Sequence, residues 1–281
     1  MSRKTIAIAG YHGLLGVDTL AAFVSAQFGN YYDSVRVLTR DPMNVLYLLV
    51  DYNDPESLDS ALEGVDVLVN LIGFCPHTWD VLAYAAARAR VRLYIPSEYD
   101  LDHSRYTPEP ELSAKEAHAQ RARSWGLKTV QLFCGILMEP AMTNHTHFGI
   151  MLSSRRIEAV MPQCGGRTDP KISFTSTKDV GMAIASISRH EPRQLADRIV
   201  ISGDACTLRE LAETWGAITR HSVQLAVRPL ETYDAGGDIA KQRRLAAGKG
   251  YLDLARQHAG WVNNGEWKWT RISQYLAGDL A

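Results

Sequence analysis

The sequence predicts an α/β fold, a doubly wound parallel sheet with a smaller C-terminal lobe, on three observations. Short, near-continuous apolar runs alternate with helical patterns through the first half of the chain, and strands apolar on both faces belong in a parallel sheet covered by helices on both sides. A glycine-rich turn, Gly10 to Gly16, joins the first of those runs to the first helical pattern. Beyond Gly135 the alternation loosens, and Pro140, Pro162, Gly165, Gly166 and Pro170 punctuate short elements. The expected division is therefore a dinucleotide-binding portion over residues 1–135 and a substrate lobe over 136–281, some of whose later elements return to pack on the first portion.

Each element has a local reason. Thr5 to Ala9 reads as a buried strand, Gly13 to Phe28 as a helix rich in Leu, Val and Ala, and Ser34 to Thr39 as a second strand. Val45 to Val50 is a third apolar run. Asp54-Pro55-Glu56-Ser57 then starts a helix: Asp caps it, Pro suits its first position and Glu complements the positive end of the dipole. Val65 to Ile72 is the fourth strand, Trp79 to Ala89 an Ala-rich helix, and Val91 to Ile95 a strand that stops at Pro96. A helix over Ser113 to Trp125 leads to a strand at Thr129 to Phe133. Later come a helix at Lys178 to Ser188, a strand at Arg198 to Ile201, and a helix over Thr207 to Thr219 in which Glu210 stands at the capping-box spacing from Thr207. Right-handed crossovers between successive parallel strands make this a doubly wound sheet.

Composition narrows the function. The 281 residues are 46% hydrophobic and 22% charged, close to the globular average, which excludes disordered, collagen-like and coiled-coil chains. A chain of this size buries ~75% of its unfolded surface and needs no disulfide or metal staple. With 30 basic residues against 31 acidic ones, no net field attracts phosphate backbones or anionic membranes, so neither nucleic acid nor membrane is expected as a partner. Cys75, Cys134, Cys164 and Cys206 lie far apart, with no C-x-x-C and no His at ligand spacing; no metal site is expected, and the thiols should be reduced and mostly buried. The first strand begins at about Thr5 and no apolar run of 18 residues occurs, which predicts a cytoplasmic protein; a monomer or homodimer that meets a small-molecule substrate is the expected state.

The sharpest motif is Gly10-Tyr11-His12-Gly13-Leu14-Leu15-Gly16, a G-x-x-G-x-x-G between strand and helix. Such glycines allow the tight turn, let a pyrophosphate approach the backbone and bring helix against sheet, while helix N–H groups receive the negative charge. After the second strand the chain reads Leu38-Thr39-Arg40-Asp41-Pro42. Arginine at this position pairs with a ribose 2′-phosphate, which favours NADPH over NADH; Asp41 is the competing residue, as a ribose acceptor or as the partner of Arg40. None of the 12 tyrosines has Lys four positions later, so the Tyr-x-x-x-Lys of ordinary short-chain reductases is absent.

Two further segments stand in its place: Leu93-Tyr94-Ile95-Pro96-Ser97-Glu98-Tyr99, and the stretch from Lys115 to Gly126, eleven residues apart. With the glycine motif and the arginine after the second strand, the sequence resembles the NmrA-like branch of the atypical short-chain dehydrogenases, and within it the isoflavone reductase and phenylcoumaran benzylic ether reductase group. Ile172-Ser173-Phe174-Thr175 and Asp179-Val180-Gly181 match the late strand and Asp-led helix of that family, so the resemblance covers most of the chain. It implies a Rossmann-like fold, NADPH as cofactor, and Lys115 beside the nicotinamide as the residue that handles a proton. An ammonium group there polarises a carbonyl or, with its pKa lowered by burial, exchanges protons near neutrality.

Two departures from the family are visible. His12 replaces a small hydroxyl residue before the second glycine, and Asp100 replaces the glycine after the P-S-E-[FY] segment, which alters the mouth of the site. Gly73, Phe74, Cys75 and His77 follow the fourth strand, at the sheet edge that receives ligands, and with Ser97 are expected to line the nicotinamide pocket. Tyr99, Met138, Asn144 and His147 are the candidates for substrate contact, the last two equally readable as a polar loop. Three functions stay open: an NADPH-dependent reductase of a small aromatic or heterocyclic metabolite, a redox-neutral isomerase or cyclase using the same pocket, and a non-enzymatic NADP(H) sensor that reports to a partner.

Overall fold

The computed structural model describes residues 3–40, 47–102, 110–163 and 169–278. In chain order the elements are β1 (Lys4–Ala9), α1 (Gly16–Val24), β2 (Tyr32–Thr39), β3 (Tyr47–Leu49), α2 (Pro55–Leu62), β4 (Val67–Asn70), α3 (Pro76–Arg88), β5 (Leu93–Ile95), α4 (Pro110–Ser124) and β6 (Gln131–Phe133). There follow β7 (Ile136–Leu137), α5 (Met138–Thr143), α6 (His145–Phe148), β8 (Ile150–Met151), β9 (Arg156–Met161), β10 (Ile172–Thr175) and α7 (Thr177–Arg189). The chain ends with β11 (Arg198–Val200), β12 (Asp204–Cys206), α8 (Leu208–Thr219), β13 (Gln224–Pro229), α9 (Ile239–Gly248) and α10 (Ile272–Gly278). Two units result, one of Met1–Glu98, Pro110–Leu132 and Val180–Ile199, the other of Tyr99–Glu109, Phe133–Asp179 and Val200–Ala281.

The first unit is built on a five-stranded sheet in the order β3-β2-β1-β4-β5, parallel throughout. Register sets Ala9 level with both Leu38 and Asn70, so the ends of β1, β2 and β4 lie side by side. Ile6, Ala7, Ile8 and Ala9 are fully buried, as expected of a strand covered on both faces. The chain runs outward from β1 to β3 on one side and returns to build β4 and β5 on the other. Its order thus reverses at β1, the place where open α/β sheets receive ligands.

Local chemistry sets the element ends. The Asp54 carboxylate accepts from the Glu56 amide at 3.0 Å and Pro55 opens α2. Helix α1 spans Gly16–Val24 rather than the expected Gly13 to Phe28: its first residues form the glycine turn, and the Ser25 hydroxyl bonds back to Ala22 O at 2.7 Å. The fourth strand stops at Asn70 rather than Ile72 because the Asn70 side chain takes the Ile72 amide at 3.0 Å. Helix α3 starts earlier than expected, at Pro76, which fits a first helical position. In α7 a Cβ at Gly181 would stand 2.7 Å from Asp18 O, so this glycine lets α7 lie directly on α1.

In the second unit β10 pairs antiparallel with β12 and parallel with β7, and β9 pairs parallel with β13 and antiparallel with β8. The Thr207–Glu210 capping box closes in both directions, at 3.0 and 2.8 Å. Cys134 is buried as expected, but Cys75 and Cys206 are only half-buried; these three cysteines carry thiols rather than disulfides, and Cys164 lies outside the described residues. Among the described residues no helix is long and apolar enough to cross a membrane.

Candidate functional site

The reversal of strand order opens a cleft of about 480 Å³ in the first unit. Gly10, Tyr11, His12 and Gly13 form one wall, Leu38, Thr39 and Arg40 from the end of β2 another. Asp51, Tyr52 and Asn53 follow β3, and Leu71, Ile72 and Gly73 follow β4. Cys75 and Thr78 complete it.

The three glycines do different work. Gly10 has φ +90° and a Cβ there would meet Ile72 N and Leu71 C at 2.6 Å, so the turn rests on the Leu71–Ile72 peptide. A Cβ at Gly16 would stand 1.8 Å from Tyr11 O, which makes its absence the condition for the turn to close onto α1. Gly13 is exposed, and its Cβ would meet only Gly10 O at 3.1 Å and Leu71 O at 3.4 Å. Its open face is the surface an incoming phosphate would approach. The cap position of α1, Leu15, supplies no side-chain acceptor to the helix N-terminus, although Asp18 stands in its first turn.

Arg40 is exposed at the cleft. Burial pushes the Tyr52 phenol up to about 12 against the pull of Arg40. The Cys75 thiol is held below its ordinary value, first by its hydrogen bond with the Thr78 hydroxyl at 3.0 Å and in smaller part by Arg40. The Arg40 guanidinium thus acts on both groups of this wall. Asp41, the competing residue, lies outside the described residues.

Lys115 is half-buried on α4 and its Nζ donates to Glu98 O at 2.8 Å, tying the helix to the Pro96-Ser97-Glu98 segment after β5. The buried Glu98 carboxylate accepts from Gln131 Nε2 at 2.9 Å, and the same amide donates to Glu116 at 2.9 Å. Of the residues expected to bind cofactor, Gly10, Tyr11, His12, Gly13, Arg40 and Gly73 come together in the cleft. Leu15 and Gly16 are buried beneath the turn, and Leu14 is exposed. Phe74 stands 52% exposed with its ring edge-on to Trp79, while half-buried Ser97 lies with Lys115 beyond the cleft lining.

A buried polar chain runs behind this wall, and sequence reasoning did not find it. His118, three residues after Lys115 on α4, is 1% exposed. Its Nδ1 meets Asp80 at 2.7 Å and its Nε2 meets the Tyr94 hydroxyl at 2.8 Å. Asn70 Nδ2 donates to the same hydroxyl at 2.9 Å, and Arg121 donates to the other oxygen of Asp80 at 2.9 Å. Burial lowers the His118 pKa, more than the Asp80 hydrogen bond raises it. The available signal was helical spacing: His118, Ala119 and Ala122 share the inward face of α4.

The substrate candidates belong to the second unit. Tyr99 is buried with φ +39°, and Met138 is fully buried at the start of α5. Asn144 is exposed, and its carbonyl accepts from the Thr146 amide at 3.0 Å and hydroxyl at 2.7 Å, which caps α6. Asp100, the residue that departs from the family glycine, pairs with Arg243 at 2.6 Å; Arg243 also reaches His147 O at 3.5 Å. Burial, with Arg243 adding and Asp100 opposing, brings the His147 imidazole down to about 4, so it is neutral at pH 7.

A family model described as the NmrA-like family matches residues 2–243. A curated relative from Gibberella moniliformis, an "NmrA-like family domain-containing oxidoreductase", is 26% identical over 176 residues; the match takes in 57% of this chain and 54% of the relative, about half its length. Among solved structures, isoflavone reductase superposes with a TM-score of 0.75 at 16% identity, covering 99% of this chain and 100% of that one. The NADPH-dependent quinone oxidoreductase of Escherichia coli, solved with NADPH, gives 0.70 at 18% identity over 98% and 100%. NmrA, described as a negative transcriptional regulator, gives 0.69 at 17% over 98% and 95%. At these identities the structural likeness is one of fold.

Proposed function

The chain belongs to the NmrA-like family, and we propose that within it this protein is an NADPH-dependent reductase of a small aromatic or heterocyclic metabolite. The observation that carries the reading is the cleft at the reversal of the sheet, where an open Gly13 backbone and the Arg40 guanidinium face one cavity. The donor set fits the cofactor: glycine backbone and an uncapped helix end for the pyrophosphate, arginine for the 2′-phosphate. The curated relative described as an oxidoreductase adds weight in the same direction.

When bound, NADPH supplies a hydride. The chain's own residues do the rest. Arg40 selects the phosphorylated ribose, and Gly73, Phe74 and Ser97 border the nicotinamide end. Lys115 gives a proton to the substrate oxygen as it becomes negative, or stabilises that oxyanion as an ammonium group. Its bond to Glu98 O fixes where Nζ stands. Tyr99, Met138, Asn144 and His147 are the candidates for substrate contact, neutral His147 offering one donor and one acceptor. The test is to incubate the protein with quinones, enones and lignan-like ethers while following NADPH absorbance; stoichiometric oxidation supports the reductase.

One observation favours a second reading. The Lys115 amine already serves the Glu98 carbonyl, a structural task that a protein without turnover also needs, and NmrA has the same fold. A redox sensor would bind NADP+ and NADPH with different affinity and oxidise none of the panel. Product formed without NADPH oxidation would mark a redox-neutral isomerase.

A further inference from the structure

We propose that His118 is a positioning residue for the cofactor cleft: in its neutral Nδ1–H form it orients Tyr94, Tyr94 orients Asn70, and Asn70 fixes the Ile72 amide on which the glycine turn rests. The cofactor arm of this inference rests on the NADPH reading; the geometric arm does not.

The hydrogen-bond chain has only one consistent direction. Asp80, held by Arg121 at 2.9 Å, accepts, so His118 Nδ1 carries the proton and donates at 2.7 Å. The Nε2 lone pair then accepts from the Tyr94 hydroxyl at 2.8 Å. The phenol oxygen accepts from Asn70 Nδ2 at 2.9 Å, which turns Asn70 Oδ1 toward the Ile72 amide at 3.0 Å. Flipping any one member sets two donors or two acceptors face to face, and Asn70, Tyr94 and His118 are all within 1% of full burial, where an unmade hydrogen bond keeps its full desolvation cost. The next peptides along are held as well, by Trp79 Nε1, which donates to Ile72 O at 3.1 Å and Gly73 O at 3.0 Å. Gly10 packs on the Leu71–Ile72 peptide, where a Cβ would stand only 2.6 Å from Ile72 N. Displacement of Asn70 is therefore passed to the glycine turn without any intervening flexible side chain.

Acid breaks this chain at a definable link. An imidazolium donates at Nε2 toward a phenol oxygen that already accepts from Asn70, and the Tyr94 hydroxyl proton loses its acceptor in a fully buried place. The groups facing His118 are Asp80 and the Trp79 ring from α3, Arg121 from its own helix, Tyr94 from β5 and Glu98 beyond it. Asp80 and Glu98 favour the imidazolium; burial, the largest influence, and Arg121 oppose it. The neutral form therefore prevails at neutrality, and the break falls on the acid side of the ordinary histidine range of about 6.5.

The test is hydrogen–deuterium exchange of the peptide spanning 70–75 in the unliganded protein from pH 5 to 8, corrected for intrinsic rates, with NADPH titrated by calorimetry in parallel. Tyr94→Phe and His118→Ala should each lower protection of this peptide about tenfold, with a similar weakening of NADPH, while a β2 peptide holds its protection. Wild type should lose protection on the acid side. His118→Gln, which donates and accepts but does not titrate, should restore most of the protection lost in the alanine variant and flatten the acid limb. Unchanged protection at 70–75 in both Tyr94→Phe and His118→Ala overturns the proposal, as does loosening spread evenly over the chain or an acid limb retained in His118→Gln. If wild type binds no NADPH, the cofactor reading falls, and exchange still decides whether His118 positions the Ile72 peptide.

Discussion

Alanine at Gly13 and alanine at Gly16 should fail in opposite ways. At Gly16 the new methyl carbon would stand 1.8 Å from Tyr11 O and 2.3 Å from Tyr11 C, both backbone atoms that cannot swing aside. Ordinary contact needs the turn to retreat by more than about an ångström, and overpacking of this kind costs ~3 kcal/mol, a fall in Tm of roughly 6–12 °C at about 2–4 °C per kcal/mol. At Gly13 the methyl meets Gly10 O at 3.1 Å. A shift of a few tenths of an ångström relieves it, so stability should change by less than about 1 kcal/mol. The methyl projects, however, onto the face where the pyrophosphate would lie, and each charge-assisted backbone hydrogen bond lost there costs ~1.5–3 kcal/mol, or roughly 10- to 150-fold in Kd. Thermal melts and NADPH calorimetry on both variants separate the two effects. A Gly13→Ala protein that binds NADPH as tightly as wild type would remove the pyrophosphate from this turn. A Gly16→Ala protein that melts with wild type would refute the packing of the turn on α1.

Arg40→Ala should weaken NADPH by roughly 10- to 100-fold, toward the lower end because the guanidinium is exposed, and leave NADH little changed; equal weakening of both in calorimetry would point to Asp41 instead. Lys115→Ala should lower turnover by ~10²–10⁴-fold and, because the bond to Glu98 O goes with it, also lower the melting temperature slightly. Lys115→Arg separates the roles: activity kept in Arg and lost in Ala indicates electrostatic stabilisation, loss in both indicates proton transfer or a strict steric fit, and full activity in Ala removes Lys115 from the chemistry. Asp100→Ala removes the carboxylate that pairs with the Arg243 guanidinium, whose side chain is only 14% exposed, and should cost ~3 kcal/mol, at the low end for a broken buried pair because Arg243 also reaches His147 O; a chemical denaturation midpoint equal to wild type would show that the pair is not a structural tie.

What was legible in the sequence depended on properties of single residues or short runs. Thr5 to Ala9 reads as a two-sided strand because its apolar run is unbroken, and all but Thr5 in it are fully buried. Asp54 and Thr207 read as caps because a cap acts over two or three positions, and both bonds form. Gly10 and Gly16 read as the glycines of a tight strand-to-helix turn because lacking a side chain is what that close backbone packing requires. The boundary at residue 135, with later elements returning to the first portion, did not say which ones return; residues 180–199 fall in the first unit, and Tyr99 to Asp102, before that boundary, fall in the second. Asp51, Tyr52 and Asn53 also escaped notice, because they enter the cleft only through the pairing of β3 with β2.

The Asn70–Tyr94–His118–Asp80 chain shows most directly why the rest stays hidden. In sequence, Asn70 closes an apolar strand, Tyr94 sits inside another, and His118 lies among charges; none carries a local mark of its role. Leu68 stands level with Tyr94 in the β4–β5 register, and the cross-strand reach from Asn70 to the phenol follows from that alignment. A slip of one residue would turn Tyr94 to the other face of the sheet and leave a buried amide and a buried imidazole without acceptor or donor. Apolar neighbours on both faces tolerate such a slip far better than the polar chain does. The apolar residues thus drive the sheet to form, while these four polar groups favour one register of β4 and β5 over its neighbours and so hold Asn70 on the Ile72 amide, which the β1–β4 register, with Ala9 level with Asn70, brings against Gly10.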